Sequence, residues 1–130
     1  MTTPLTALRL QPGCTTLADG TGPEVVIGVG VDDLARRVFR HDPPTAVEIE
    51  RAIDLVEDAL GASGLRHGER GEPGIAHPPL LAALGLVARG MRLGREEVEA
   101  RFERLAAAAL LILRECLHHL GYAGVRRAAS

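Results

Sequence analysis

The sequence predicts an α+β domain. Short antiparallel strands over residues 5–31 pack on a mostly helical core of four helices, the last of them long and central. Three observations predict this. Residues 5–31 alternate short β-prone runs with Pro-Gly and Asp-Gly turns. Thr45-Ala46-Val47-Glu48 spells a complete capping box ahead of an apolar stripe. Val98, Phe102, Leu105, Ala109, Ile112, Cys116 and Leu120 then keep one stripe on one face of a helix from Arg95 to Leu120. At 130 residues the chain is read as a single domain, 1–130, able to bury one core.

In order, Leu5, Leu8 and Leu10 lead to the turn Pro12-Gly13, and Cys14 to Ala18 leads to Asp19-Gly20, a hairpin signal. Glu24 to Val31 is β-branched and punctuated by glycine, as a buried strand is. Asp32 or Asp33 caps a short helix to Arg40, and Pro43-Pro44 stops it. From Thr45 a second helix turns Ala46, Ile49, Ile53, Val56 and Leu60 inward and ends at Gly61. Residues 61–78 carry glycine, proline and charge without a period, and are read as a mobile loop. Pro79 opens a short apolar helix that ends near Gly90. In the last helix, Leu93 staples onto Val98, and Glu96, Glu97 and Glu99 meet the positive end of the dipole. Arg114, His118 and His119 meet the negative end, and Gly121 ends the helix in a left-handed turn.

The middle of that helix, Ala106 to Leu113, is apolar on every side and must be covered on every side. It is too short for a membrane span, and Glu103, Arg104, Arg114 and Glu115 bracket it. It is therefore read as core, with Ala106, Leu110, Leu113 and Leu117 offered as an interaction face for a second copy or a protein partner.

Composition excludes several chemistries. The formal charge is −2, so nothing in the global balance draws the chain to nucleic acid. All 15 basic residues are arginine, and the lack of lysine removes Schiff-base catalysis and the P-loop lysine. Lysine and asparagine, both absent, have AT-rich codons, which points to a high-GC bacterial source. Ser63 lies outside any nucleophile elbow, and Phe39, Phe102 and Tyr122 are too few for a base-stacking platform. Cys14 and Cys116 make no disulfide framework, and no signal segment follows Met1, so the expected compartment is the cytoplasm.

Candidate sites follow from helical spacing. Glu115 and His118 share a face at i, i+3, and Glu50, Asp54 and Glu57 share one at i, i+4, i+7. Packed together, and with His119 beside them, they form an oxygen-and-nitrogen set for Mn, Fe or Zn. The bland alternative is a solvated helix edge and histidines at a helix C-terminus. His41-Asp42 has the form of a phosphohydrolase HD pair, but Pro43 follows it at once. Cys116 reads as a small hydrophobe and Cys14 as the more reactive thiol. Arg36-Arg37-Arg40 and Arg126-Arg127 are small basic clusters.

Val26 to Asp33, VIGVGVDD, is a glycine-containing strand ending in acidic residues. Over these eight or so residues it resembles the first strand of actin-like and exopolyphosphatase-like domains. Such domains carry further phosphate motifs for which this chain is short, and no function is transferred. The glycines are read as places where a neighbouring element approaches closely.

Together these readings predict a non-enzymatic accessory or regulatory protein without a cofactor, acting by protein–protein contact, as a homodimer. The alternatives are a small metal-dependent enzyme built on the carboxylate and histidine cluster, and a small-ligand binding domain with residues 61–78 as its lid.

Overall fold

The sheet is mixed and has six strands, which the N-terminal hairpins only begin. The computed structural model describes residues 5–20, 22–68, 72–88, 90–105 and 108–128. Its strands are β1 (Thr6–Leu10), β2 (Thr15–Ala18), β3 (Val25–Ile27), β4 (Pro73–Ile75), β5 (Arg92–Gly94) and β6 (Gly124–Arg127). Its helices are α1 (Ala46–Ser63), α2 (Pro78–Leu84), α3 (Arg95–Phe102) and α4 (Ala108–Leu120). The strands lie in the order β3-β2-β1-β4-β6-β5. β1, β2 and β3 pair antiparallel, as do β5 and β6, whereas β1–β4 and β4–β6 are parallel.

The fold is mixed α/β, and the sequence-based picture of antiparallel strands on a four-helix core is corrected in three places. First, the stretch 61–78 is not all loop. α1 runs on to Ser63, and Pro73-Gly74-Ile75 forms β4, buried at the middle of the sheet. Proline is tolerated there because it opens the strand, where a ladder donor is least needed. Second, β5 and β6 extend the sheet beyond the expected strands. Third, Arg95 to Leu120 is not one helix. An unbroken helix would run about 39 Å, longer than a small domain is wide. Instead α3 ends at Phe102, its last turn tightening as Arg104 N–H bonds to the Arg101 carbonyl, three residues back, at 3.0 Å, and α3 packs against α4.

Along the strands, buried Leu8, Ile27, Leu93 and Val125 alternate with exposed Arg9, Val26, Arg92 and Arg126. One face of the sheet therefore carries the core. α1 packs on β3 from that side, and α3 packs on β5 and β6. α4 lies between α1 and α3, and Leu110, Leu111, Ile112, Leu113, Cys116 and Leu117 are all 0 % exposed within the single chain. From Leu110 to Leu113 the apolar waist is thus wrapped by the chain's own fold. Leu110, Leu113 and Leu117, offered above to a partner, are interior, and Ala106 lies outside the described residues.

Local signals hold where side chains contact their own backbone. Thr45 Oγ1 accepts from Glu48 N–H at 3.2 Å, and Glu48 Oε1 accepts from Thr45 N–H at 2.8 Å. Leu93 and Val98 are both buried, and Glu97 Oε1 accepts from Gly94 N–H at 3.3 Å. The turn of helix over Asp33–Val38 is wider than α, with Phe39 N–H bonding to Leu34 at 2.8 Å, five residues back. Gly121 ends α4 at φ +79, where a Cβ would also lie 2.3 Å from the Gly68 carbonyl. Among the described residues, no helix is long and apolar enough to cross a membrane.

Candidate functional site

Three neighbouring parallel strands, β1, β4 and β6, end on one edge of the sheet, and β3 ends there too because two antiparallel steps restore its direction. In open α/β sheets that carboxyl edge is where ligand sites form. β1 turns into β2 through Gln11–Cys14, closed by Gln11 N–H to the Cys14 carbonyl at 2.9 Å. The chain leaving β3 lies directly on this turn. Val31 N–H bonds to the Gln11 carbonyl and Asp32 N–H to the Pro12 carbonyl, both at 3.0 Å. Only glycine fits at position 30, since a Cβ there would lie 2.2 Å from the Pro12 carbonyl oxygen. Asp33 Oδ2 accepts from Gly30 N–H at 2.8 Å, which fixes the loop.

Beside the same edge, Leu8, Arg9, Leu10, Ala76, His77 and Pro78 line a hollow of about 320 Å³. His77 caps α2: its Nδ1 accepts from Leu80 N–H at 3.1 Å. Burial lowers its pKa below the ordinary value, so His77 is neutral at pH 7, and with Nδ1 accepting, the proton sits on Nε2. Neither Arg9 nor His77 was singled out from the sequence. Arg9 is the outward member of an alternating strand, and His77 stood in a stretch read as loop. The one available signal was a histidine directly before Pro-Pro, where a cap is needed.

A second cluster lies between α1 and α4. His119 Nε2 is 3.0 Å from Glu115 Oε2 and 3.2 Å from Glu57 Oε1, and Arg114 Nη1 donates to Glu115 Oε1 at 2.8 Å. The Glu115 side chain is 3 % exposed, and burial pushes its pKa up by more than Arg114 and His119 take back. Of the metal candidates read from the sequence, Glu57, Glu115 and His119 are here, while His118, Glu50 and Asp54 are exposed and outside the cluster. The i, i+4 partner His119 meets α1; His118 lies against His119 edge-on, ring centroids 4.9 Å apart.

The remaining candidates have structural partners. His41 Nδ1 meets Glu48 Oε1 at 3.1 Å, and the Glu48 carboxylate also accepts from Arg40 N–H. The Thr45 N–H first, then that of Arg40, hold the Glu48 carboxyl down at about 2. Cys116 is fully buried, and burial pushes its thiol up to about 12, which makes it inert; Cys14 Sγ donates to Gln11 Oε1 at 3.4 Å. Arg36 and Arg37 pair with Asp32 and Asp33, Arg126 with Glu72, and Arg127 donates to the Val87 carbonyl at 2.6 Å.

No protein-family model matches the chain, and no curated protein matches it in sequence. Solved structures do. A Ppx/GppA phosphatase of Aquifex aeolicus, the type II variant, aligns with a TM-score of 0.76 at 15 % identity, over 96 % of this chain and 53 % of that one. Another structure of the Aquifex aeolicus PPX-GPPA enzyme gives 0.72 at 14 % identity, over 98 % and 54 %. An exopolyphosphatase-like protein gives 0.74 at 17 %, over 91 % and 50 %. At these identities the likeness is one of fold, and the chain spans about half the length of the solved chains it matches.

The expectation of a non-enzymatic accessory protein acting by protein–protein contact is overturned by this. Its fold neighbours are phosphatases, and the apolar waist that suggested a dimer face is spent on the chain's own core. Nor does a scarcity of nucleophiles by itself exclude an enzyme. Phosphoryl transfer rests on positioning and electrostatics, with little covalent work for a side chain.

Proposed function

We propose that this chain is a phosphatase-type domain that holds a phosphate group of a polyphosphate-like substrate at the carboxyl ends of β1 and β4. The observation that carries this reading is the hollow between Arg9 of β1 and His77, which follows the adjacent parallel strand β4 and caps α2, in a fold similar to that of an exopolyphosphatase-like protein. Arg9 supplies a planar, always-charged donor suited to phosphate oxygens. His77, neutral with its proton on Nε2, supplies a hydrogen-bond donor and not a base. The hollow is open to water, and a second lobe closing over it would strengthen both contacts by excluding solvent. The twofold length of the fold neighbours is consistent with such a lobe.

Calorimetric titration with inorganic tripolyphosphate tests the reading. Saturable binding is expected, weakened about tenfold in Arg9→Gln, a loss of about 1.4 kcal/mol. Arg9 is exposed, so folding is not at stake. Binding unchanged in Arg9→Gln and in His77→Asp, which keeps the cap, would refute it, as would no binding at all.

A further inference from the structure

His119 Nε2 faces two carboxylate oxygens at once, Glu115 Oε2 at 3.0 Å and Glu57 Oε1 at 3.2 Å. A ring nitrogen of an imidazole carries at most one proton and cannot serve both acceptors fully. A cation between the three donor atoms satisfies all of them. A tetrahedral ion with bonds of about 2.0–2.1 Å holds its donors about 3.3 Å apart, close to the separations found here. The three atoms lie within 4.8 Å of one another, and Glu57, the exposed member, can close the remaining gap.

We propose that Glu57, Glu115 and His119 form a binding site for a zinc-like divalent transition-metal ion that staples α1 to α4. Two carboxylates and a neutral imidazole balance the charge of +2. Nitrogen and oxygen donors without thiolate suit Zn²⁺ or Mn²⁺ better than Mg²⁺, which prefers an all-oxygen shell. The buried member is held from behind. Arg114 occupies Glu115 Oε1 and leaves Oε2 for the ion, and the Phe102 ring lies 5.0 Å from the Arg114 guanidinium carbon. Solvent reaches Glu57 and His119, whose side chains are 43 % and 34 % exposed, so the fourth coordination position opens to water. This site is separate from the carboxyl-edge hollow and does not rest on the phosphate reading.

The test is calorimetric titration of untagged, chelator-treated protein with ZnCl₂, with MgCl₂ as control and thermal melting alongside. One Zn²⁺ per chain is expected, with a melting temperature raised by Zn²⁺ and not by Mg²⁺. Glu57→Gln and His119→Ala should each bind at least tenfold more weakly, and His118→Ala, one residue away and exposed, should bind as the wild type does. Circular dichroism confirms that each variant is folded. No stoichiometric uptake at about 1 mM Zn²⁺, or uptake unchanged in both ligand variants, overturns the proposal, and so does loss confined to His118→Ala.

Discussion

Arg92 of β5 and Arg126 of β6 are cross-strand partners, and both guanidiniums close on the single carboxylate of Glu72. Like charges directly opposite each other weaken a strand pair, so these two arginines are tolerable because Glu72, at the entrance to β4, stands between them. One carboxylate therefore ties three strands together at the far end of the sheet from β3.

Glu72→Gln should destabilise the protein by about 1 kcal/mol, below the usual range for charged hydrogen bonds because both arginines are partly solvated. Burial raises the Glu72 carboxyl, but the hydrogen bonds and charges of Arg126 and Arg92 outweigh it and hold it below the ordinary carboxylate value. A depressed carboxyl stabilises the fold above its unfolded value, and that contribution is lost as pH falls through the lowered value. Urea titrations from neutral pH downward should show wild type and Glu72→Gln converging in acid. A constant gap between the two curves would mean that the arginines do not need the charge.

Gly30 and Gly28 provide an internally controlled pair. A Cβ at position 30 would lie 2.2 Å from the Pro12 carbonyl oxygen, whereas one at position 28 meets nothing within 4 Å. Gly30→Ala must push the loop off the β1–β2 turn, at a cost of about 1–3 kcal/mol. Gly28→Ala should stay within about 0.5 kcal/mol of the wild type. Equal denaturation midpoints for the two variants would contradict the close approach.

Glu48 joins a capping box to the segment before it, accepting from Thr45 and Arg40 N–H and meeting His41. With its carboxyl held at about 2, its contribution is whole above 4.5 and is lost as pH falls through about 2. Glu48→Gln should lower the melting temperature at neutral pH and lose the difference from the wild type below that window. Thr45→Ala, which removes the other half of the box, should cost about 1 kcal/mol. A Glu48→Gln melting curve that matches the wild type at pH 7 would remove the charge from this account.

What could be read from the sequence was what is local. β1, β2, β3 and the Thr45–Glu48 box lie where turn residues and capping chemistry put them, because each is decided within a few residues. β4, β5 and β6 are three or four residues long and contain Pro73, Gly74, Gly94 and Gly124, so they show no alternation; their partners across the sheet make them strands. The break after Phe102 was hidden because the apolar stripe keeps its phase from α3 into α4. Val26 to Asp33, which resembles a first strand of exopolyphosphatase-like domains, leaves the third strand here, although Gly30 serves the close approach expected of it. In the α1–α4 cluster, spacing alone could not decide whether His118 or His119 faces α1. The hollow by His77 depends on β1 meeting β4 across more than sixty residues of chain, and no local pattern encodes that.

The waist of α4 separates a core role from a partner role most sharply. Leu113 is 0 % exposed inside the single chain, so Leu113→Ala should cost about 2–5 kcal/mol through lost burial and the cavity left behind. Val87, 69 % exposed, is the control, and Val87→Ala should stay within about 0.5 kcal/mol. Urea denaturation at two protein concentrations measures both effects. A core residue shifts the midpoint equally at each concentration, whereas a residue at a subunit contact shifts it by an amount that depends on concentration. For Leu113 the concentration-independent shift is expected, because its neighbours belong to the same chain; a shift that vanished on dilution would place a second subunit where the structure puts α1 and α3.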